Sequence, residues 1–145
     1  MEIQSVTAEH LLACAELFHA VFAAAPWHEI WELATVTKRL EEIYTTPGFY
    51  GLAAYRESVL MGFALGYVET WHQGPVYYLK EMCVQTASQR TGVGTALLHA
   101  LESALLTRQI ARIYLLTARG ELAEAFYRNQ GFYVSDKMIM MGKRL

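Results

Sequence analysis

Two short stretches carry residue types whose spacing suits chemistry. The first is Val84-Gln85-Thr86-Ala87-Ser88-Gln89-Arg90-Thr91-Gly92-Val93-Gly94-Thr95, which joins a predicted strand to a predicted amphipathic helix. The first turn of a helix presents unpaired backbone N–H groups and the positive end of the helix dipole. Gly92 and Gly94 remove side chains there, so a phosphate can approach the backbone closely, and Arg90 adds a cation beside it. The stretch reads either as an anion cradle suited to a pyrophosphate or as a loop whose glycines serve only the turn. It lacks the third glycine of the dinucleotide fingerprint and the Gly-Lys-Ser/Thr of a P-loop. The second stretch is Ala123-Glu124-Ala125-Phe126-Tyr127-Arg128-Asn129-Gln130-Gly131-Phe132. Phe126 belongs to an apolar stripe, and Tyr127 is rotated from it by about 100°. Its ring is placed either to face a ligand or to lie at an ordinary amphipathic boundary.

Other chemistries find few residues to work with. His10, His19, His28, His72 and His99 show no H-x-x-x-H or other ligand spacing, so no metal site is expected. Asp136 is the only aspartate and there is no G-x-S-x-G elbow, which argues against a hydrolase triad. Cys14 and Cys83 each sit inside an apolar pattern, outside any C-x-x-C pair, and read as small core residues of a reducing compartment.

The elements that must position these stretches follow from periodicity. Residues 2–6 make a first strand, and Thr7 is a predicted N-cap. Leu11, Cys14, Ala15, Phe18, Val21 and Phe22 recur at helical spacing, giving a helix to about Ala24. Pro26 breaks the pattern over Ala25–Leu33, and a second helix follows with Val36, Leu40, Ile43 and Tyr44 on one face. From Phe49 the period changes. Phe49–Tyr55, Val59–Glu69 and Val76–Val84 read as a three-stranded antiparallel meander, the middle strand apolar at both parities and so covered on both faces. Val93, Leu97, Ala100, Leu101, Ala104 and Leu105 form the stripe of a third helix. Arg112–Thr117 reads as a strand parallel to its predecessor, Glu121–Asn129 as a helix with Gly131 at its C-terminal cap, and 132–143 as one or two final strands. The prediction is an α/β (α+β) fold: a mixed, mostly antiparallel sheet with helices on both faces, in a single domain over 1–145.

The 145 residues are enough for one core without staples. With 54% hydrophobic and 18% charged residues the chain is not disordered. A net charge of −2 gives no basic footprint for nucleic acid. The longest apolar run, between Glu57 and Glu69, falls far short of the ~20 residues that span a bilayer. The opening MEIQSV lacks a basic region followed by an apolar core, so a cytoplasmic location is expected.

Taken in order, strand, Q-R-x-G-x-G-x-x-L-L, helix, strand and A-x-x-F-Y-x-x-x-G-F closely resemble the GNAT superfamily of N-acetyltransferases, over 49–135 in motif and over 1–48 in element order. The resemblance implies that Gln89, Arg90, Thr91, Gly92, Val93, Gly94 and Thr95 bind the pyrophosphate of acetyl-coenzyme A. It implies that the backbone of Met82, Cys83 and Val84 pairs with the pantetheine arm, and that Tyr127 protonates the departing thiolate. One position departs from the pattern. Gly120 stands where many members carry an asparagine, so a cofactor contact is either missing or supplied by Arg119 or Asn129.

Direct acetyl transfer needs an amine with a free lone pair, so a base must take its proton. Glu81, on the strand leading to the cofactor loop, is the candidate base or amine anchor; the alternative is an ion pair with a neighbouring basic side chain. Trp27, His28, Glu29 and Trp31 lie where this superfamily covers its acceptor, and offer aromatic walls and an acid to a cationic amine. A packed helix-to-helix connection is the alternative. Glu69, Trp71 and His72 at the other hairpin are weaker candidates, and Cys83 as a covalent nucleophile is weaker still. The expected activity is acetylation of a primary amine on a small, cationic acceptor. A non-catalytic acyl-coenzyme A sensor and a protein lysine or N-terminal acetyltransferase are the rivals. Met138–Met141, apolar at both parities, would give a homodimer an edge strand to pair through.

Overall fold

A computed structural model describes residues 1–145, which form two compact units, 1–115 and 116–145. The first unit holds a five-stranded sheet in the order β1-β2-β3-β4-β5: β1 Glu2–Ser5, β2 Phe49–Arg56, β3 Val59–Trp71, β4 Gly74–Val84 and β5 Ile113–Tyr114. The first four strands pair antiparallel, and β5 lies parallel to β4. Three helices, α1 Leu11–Ala23, α2 Leu33–Tyr44 and α3 Val93–Thr107, complete it. Thr7 is an N-cap as expected, but of a 3₁₀ turn, Ala8–His10, that runs into α1; its backbone N–H donates to His10 Nδ1 at 2.8 Å.

Strand parity assigns the two faces. Phe63 and Leu65 of β3, Ala53 of β2 and Cys83 of β4 join Cys14, Ala15, Phe18, Val36 and Leu40 in one core beneath α1 and α2. Gly62 points the other way, where an added Cβ would lie 3.1 Å from Leu97 of α3. Helices thus cover both faces of β3, as its apolar residues at both parities predict. No helix is long and apolar enough to cross a membrane.

The register of β3 against β4 contains a shift that periodicity did not predict. Leu65 pairs with Glu81, yet Gly66 pairs with Leu79, so Lys80 is an extra residue in β4. This β-bulge changes the parity of the strand. Tyr78, opposite Tyr67, and Glu81, opposite Leu65, are three apart in sequence but emerge on the same α1–α2 face.

In the second unit α4 spans Leu122–Asn129. It ends as Gly131 predicts. Gly131, at φ +92°, donates to Arg128 O at 3.1 Å, and Phe132 donates to Tyr127 O at 3.0 Å. These are the two bonds of a Schellman motif, which needs a left-handed residue at that point.

Two expectations are corrected. The strand read over 112–117 shortens to Ile113–Tyr114, and none forms over 132–143. Apolar residues at 138–141 supply strand-like faces but no ladder. Instead the Ser135 hydroxyl accepts from the backbone N–H groups of Lys137 and Met138, a local bond that competes with extended pairing. The edge strand imagined for a homodimer is therefore not formed.

Candidate active site

The loop from β4 to α3 is built by its own polar side chains. Gln89 donates from Nε2 to Val84 O at 3.2 Å, Ser88 Oγ bonds Gln85 Oε1 at 3.1 Å, and Thr91 Oγ1 donates to Ser88 O. Arg90 adopts φ +64° and Gly92, the N-cap of α3, φ +90°. A Cβ on Gly92 would meet nothing within 4 Å, so glycine answers the backbone conformation there and not crowding. Left-handed residues of this kind curl successive N–H groups into an anion-binding concavity. Gly92, as N-cap, brings no side chain to the first turn of α3, in which Val93, Gly94 and Thr95 lie. The exposed Arg90 stands beside that turn in sequence. The arrangement suits a phosphate.

The pairing of β4 with β5 covers only Tyr77 and Tyr78. Beyond Leu79 the strand keeps its partner β3 on one side, while no strand occupies the other. Met82, Cys83 and Val84 lie on this open stretch, where backbone groups can pair with an extended chain. The Cys83 side chain points into the α1–α2 core, and burial pushes its thiol well above the ordinary range, with the Glu81 charge adding to the effect. That removes it as a nucleophile.

Glu81 is held by a residue that motif reading missed. Arg39 of α2 donates from Nε to Glu81 Oε1 at 2.6 Å. Burial raises the Glu81 carboxyl above its usual range; Arg39 and Lys80 pull it down, and Glu29 pushes it up. The net direction is up, which makes the carboxylate a stronger base. The predicted alternative, an ion pair with a basic side chain, is thus present. The readable trace was Arg39 itself, three residues after Val36 and four before Ile43, a cation on the edge of a buried stripe.

The loop between α1 and α2 is exposed over residues 25–30 and is tied to α1 by two ring contacts. Trp27 lies edge-on to Phe22 at 5.1 Å and Trp31 edge-on to Phe18 at 5.3 Å, while Trp31 Nε1 donates to Glu29 Oε2 at 3.4 Å. His28 takes φ +49°, and its N–H donates to Ala24 O. Glu29 is close enough to be felt electrostatically at Glu81.

In the second unit the Tyr127 ring is set between Phe126 at 5.2 Å and Phe132 at 5.4 Å, and Asn129 is the last residue of α4. Gly120, at φ +79°, donates its N–H to Glu124 Oε1, so this position serves the start of α4. That bond, followed by Arg128, lowers the Glu124 carboxyl. No group of three or more His, Cys, Asp or Glu gathers to hold a metal.

Residues 11–132 match the family model described as acetyltransferase (GNAT) family. Solved structures share the fold. One is an aminoglycoside acetyltransferase from an uncultured soil metagenomic sample, solved with trehalose: TM-score 0.77, 21% identity, covering 99% of this chain and 95% of that one. A probable acetyltransferase gives TM-score 0.81 at 21% identity over 100% and 98%. The aminoglycoside N-acetyltransferase AAC(6')-Iy, in complex with CoA, gives 0.76 at 18% identity over 99% and 95%. No curated protein sequence matches the chain.

Proposed function

The chain belongs to the GNAT family of acetyltransferases, and from that premise we propose that it transfers an acetyl group from acetyl-coenzyme A to the primary amine of a small cationic acceptor. The observation that carries the acceptor side is Glu81. It is a mostly buried carboxylate, paired with Arg39 and held above its usual range by burial, on the strand whose outer edge is open.

The cosubstrate fits the residues present. The curled backbone at Arg90–Gly92 and the first turn of α3 would receive its pyrophosphate, with the Gln89 side chain holding the loop on Val84. Met82, Cys83 and Val84 would pair with its pantetheine arm through their backbone. When bound, acetyl-coenzyme A supplies an acetyl group activated as a thioester.

The chain's own residues do the rest. Glu81 attracts the ammonium group and accepts its proton at a carboxylate oxygen, leaving a neutral amine. Glu29 adds negative charge on the amine's side, with Trp27, His28 and Trp31 of the same loop as its frame. Tyr127 holds at Oη the phenolic proton for the leaving group, and Asn129 is a further cofactor contact. Residues 1–145 act as one acetyltransferase domain, and the two buried free thiols fit a reducing cytoplasm. Aminoglycosides, named for two of the structural neighbours, are cationic amino sugars and the first acceptors to try.

The experiment is turnover of acetyl-coenzyme A over aminoglycosides, polyamines, amino acids and lysine peptides, with Glu81→Gln beside the wild type. The expected result is cationic small-molecule acceptors and a loss of kcat/KM in the variant. Anionic acceptors, or full activity and an unchanged pH profile in Glu81→Gln, overturn the assignment of Glu81. Acetyl-coenzyme A binding without turnover of any amine overturns the enzymatic reading.

A further inference from the structure

The extra residue of β4 carries a charge that the reaction above does not use. In a regular strand Lys80 and Glu81, as neighbours, would emerge on opposite faces. The bulge interrupts that alternation. Glu81, opposite Leu65, lies on the α1–α2 face together with Tyr78, opposite Tyr67. The Lys80 ammonium reaches the same face, because its Nζ lies over the Tyr78 ring, 5.0 Å from the centroid. Tyr114 stacks on that ring at 4.3 Å with 16° between the planes, so one ring face is taken and Lys80 holds the other. Two successive residues thus bring an ammonium and a carboxylate to one place.

The hold on this ammonium is weak. Lys80 belongs to neither of the chain's two ion pairs, Arg39–Glu81 and Arg128–Glu124. It is half-buried, and a ring face binds a partly exposed cation only loosely. Arg39, by contrast, is fixed, since two of its nitrogens contact Glu81 Oε1. Four charged groups act on one another here, Glu81 and Glu29 against Arg39 and Lys80. The ammonium of an acceptor arriving at Glu81 makes three cations against two acids. Of the three, Lys80 is the one on a long flexible stem with no acid partner, so it is the one to yield.

We infer that the Lys80 ammonium stands in the place beside Tyr78 and Glu81 that the acceptor's ammonium takes, a built-in competitor that sets how tightly cationic acceptors bind and swings away as one enters. The inference rests on the proposed acceptor role of Glu81, but it is tested by binding alone.

The probe is 1,4-diaminobutane, with binding read by calorimetry without acetyl-coenzyme A and acetylation measured in parallel. Lys80→Met keeps an apolar stem against Tyr78 and removes the competing charge. The Kd for 1,4-diaminobutane should fall about tenfold, the size expected for one unit charge a few ångströms away at a partly exposed site. Lys80→Arg, which keeps the charge, should bind as the wild type does. So should Lys38→Met, which removes a charge from an exposed position of α2 and controls for net charge. Thermal melting accompanies each variant, and Lys80→Gln takes the place of Lys80→Met should that protein fail to fold. Tighter binding in Lys80→Met alone, in a protein that acetylates no amine, would uphold the competitor and sink the transferase reading. Unchanged or weaker binding in Lys80→Met, or an equal gain in Lys38→Met, would overturn the competitor while leaving the transferase reading in place.

Discussion

Replacing Arg39 by methionine should uncouple two properties of Glu81 that the wild type balances. The guanidinium donates to Glu81 at 2.6 Å, and the side chains are 35% and 13% exposed respectively. A hydrogen bond to a charged group contributes roughly 1.5–3 kcal/mol, and solvent around a partner as exposed as Arg39 reduces this. The loss at neutral pH is therefore about 1–2 kcal/mol, or some 3–6 °C in Tm for a chain of this length. The pH dependence carries more information than the size. Burial holds the Glu81 pKa above its ordinary value in the wild type, and Arg39 restrains that rise. Its contribution to stability is therefore full below the unfolded value and is lost as pH rises through the raised folded value. Without Arg39 the folded value rises further and the loss is larger. The stability gap between wild type and Arg39→Met should accordingly be small in acid and widen as pH rises. Because the base must be ionised, the acidic limb of kcat/KM should also move to higher pH in the variant. Urea unfolding at a series of pH values and pH–rate profiles measure the two effects. A gap independent of pH together with an unmoved acidic limb would refute the coupling.

Three further outcomes are expected. Gly94→Asp places a carboxylate in the first turn of α3 and should abolish measurable acetyl-coenzyme A binding by calorimetry; equal affinity would remove the pyrophosphate loop. Tyr127→Phe should lower kcat by roughly 10²–10⁴-fold, the range of a positioned acid, with acetyl-coenzyme A affinity unchanged, as stopped-flow kinetics and calorimetry can establish. Burial pushes the Cys14 thiol up to about 12 and the Cys83 thiol higher still, so mass spectrometry after iodoacetamide at pH 8 should find both unmodified until urea unfolds the protein.

Local periodicity made most of the first unit legible. The stripe Val36, Leu40, Ile43 and the change of period at Phe49 are properties of neighbouring residues, and both appear where expected. So do the N-cap at Thr7 and the glycine cap at Gly131, because each rests on one backbone conformation. What periodicity could not show was pairing at a distance. Arg39 and Glu81 are 42 residues apart and meet only once α2 lies on the sheet. The same limit explains the tail: Met138–Met141 has the apolarity of a strand, but a strand exists through its ladder, and no residue there signals a partner. Glu81 was found because it precedes the cofactor loop. The contact of Tyr67 with Tyr78 and the stacking of Tyr78 on Tyr114 were hidden for the same reason, since the three rings come from three strands and are brought together by register.

The extra residue at Lys80 divides β4 into two reading frames. Upstream of it the even-numbered Tyr78, opposite Tyr67, lies on the α1–α2 face; downstream the odd-numbered Glu81 and Cys83 do. Pairing the same residues without the bulge, with Lys80 opposite Leu65, would restore a single frame and exchange the faces of everything after it. Met82 would replace Cys83 in the core, and Glu81 would turn toward α3, away from Arg39. The acid and the strand edge beside it are thus specified by register as much as by residue identity. A shift of one position silences the site without altering any of its residues. Placing the bulge later in the strand would move the frame boundary and put Lys80 on the face that Glu81 now occupies. In this fold, the place where a strand miscounts decides which of its residues can meet the acceptor.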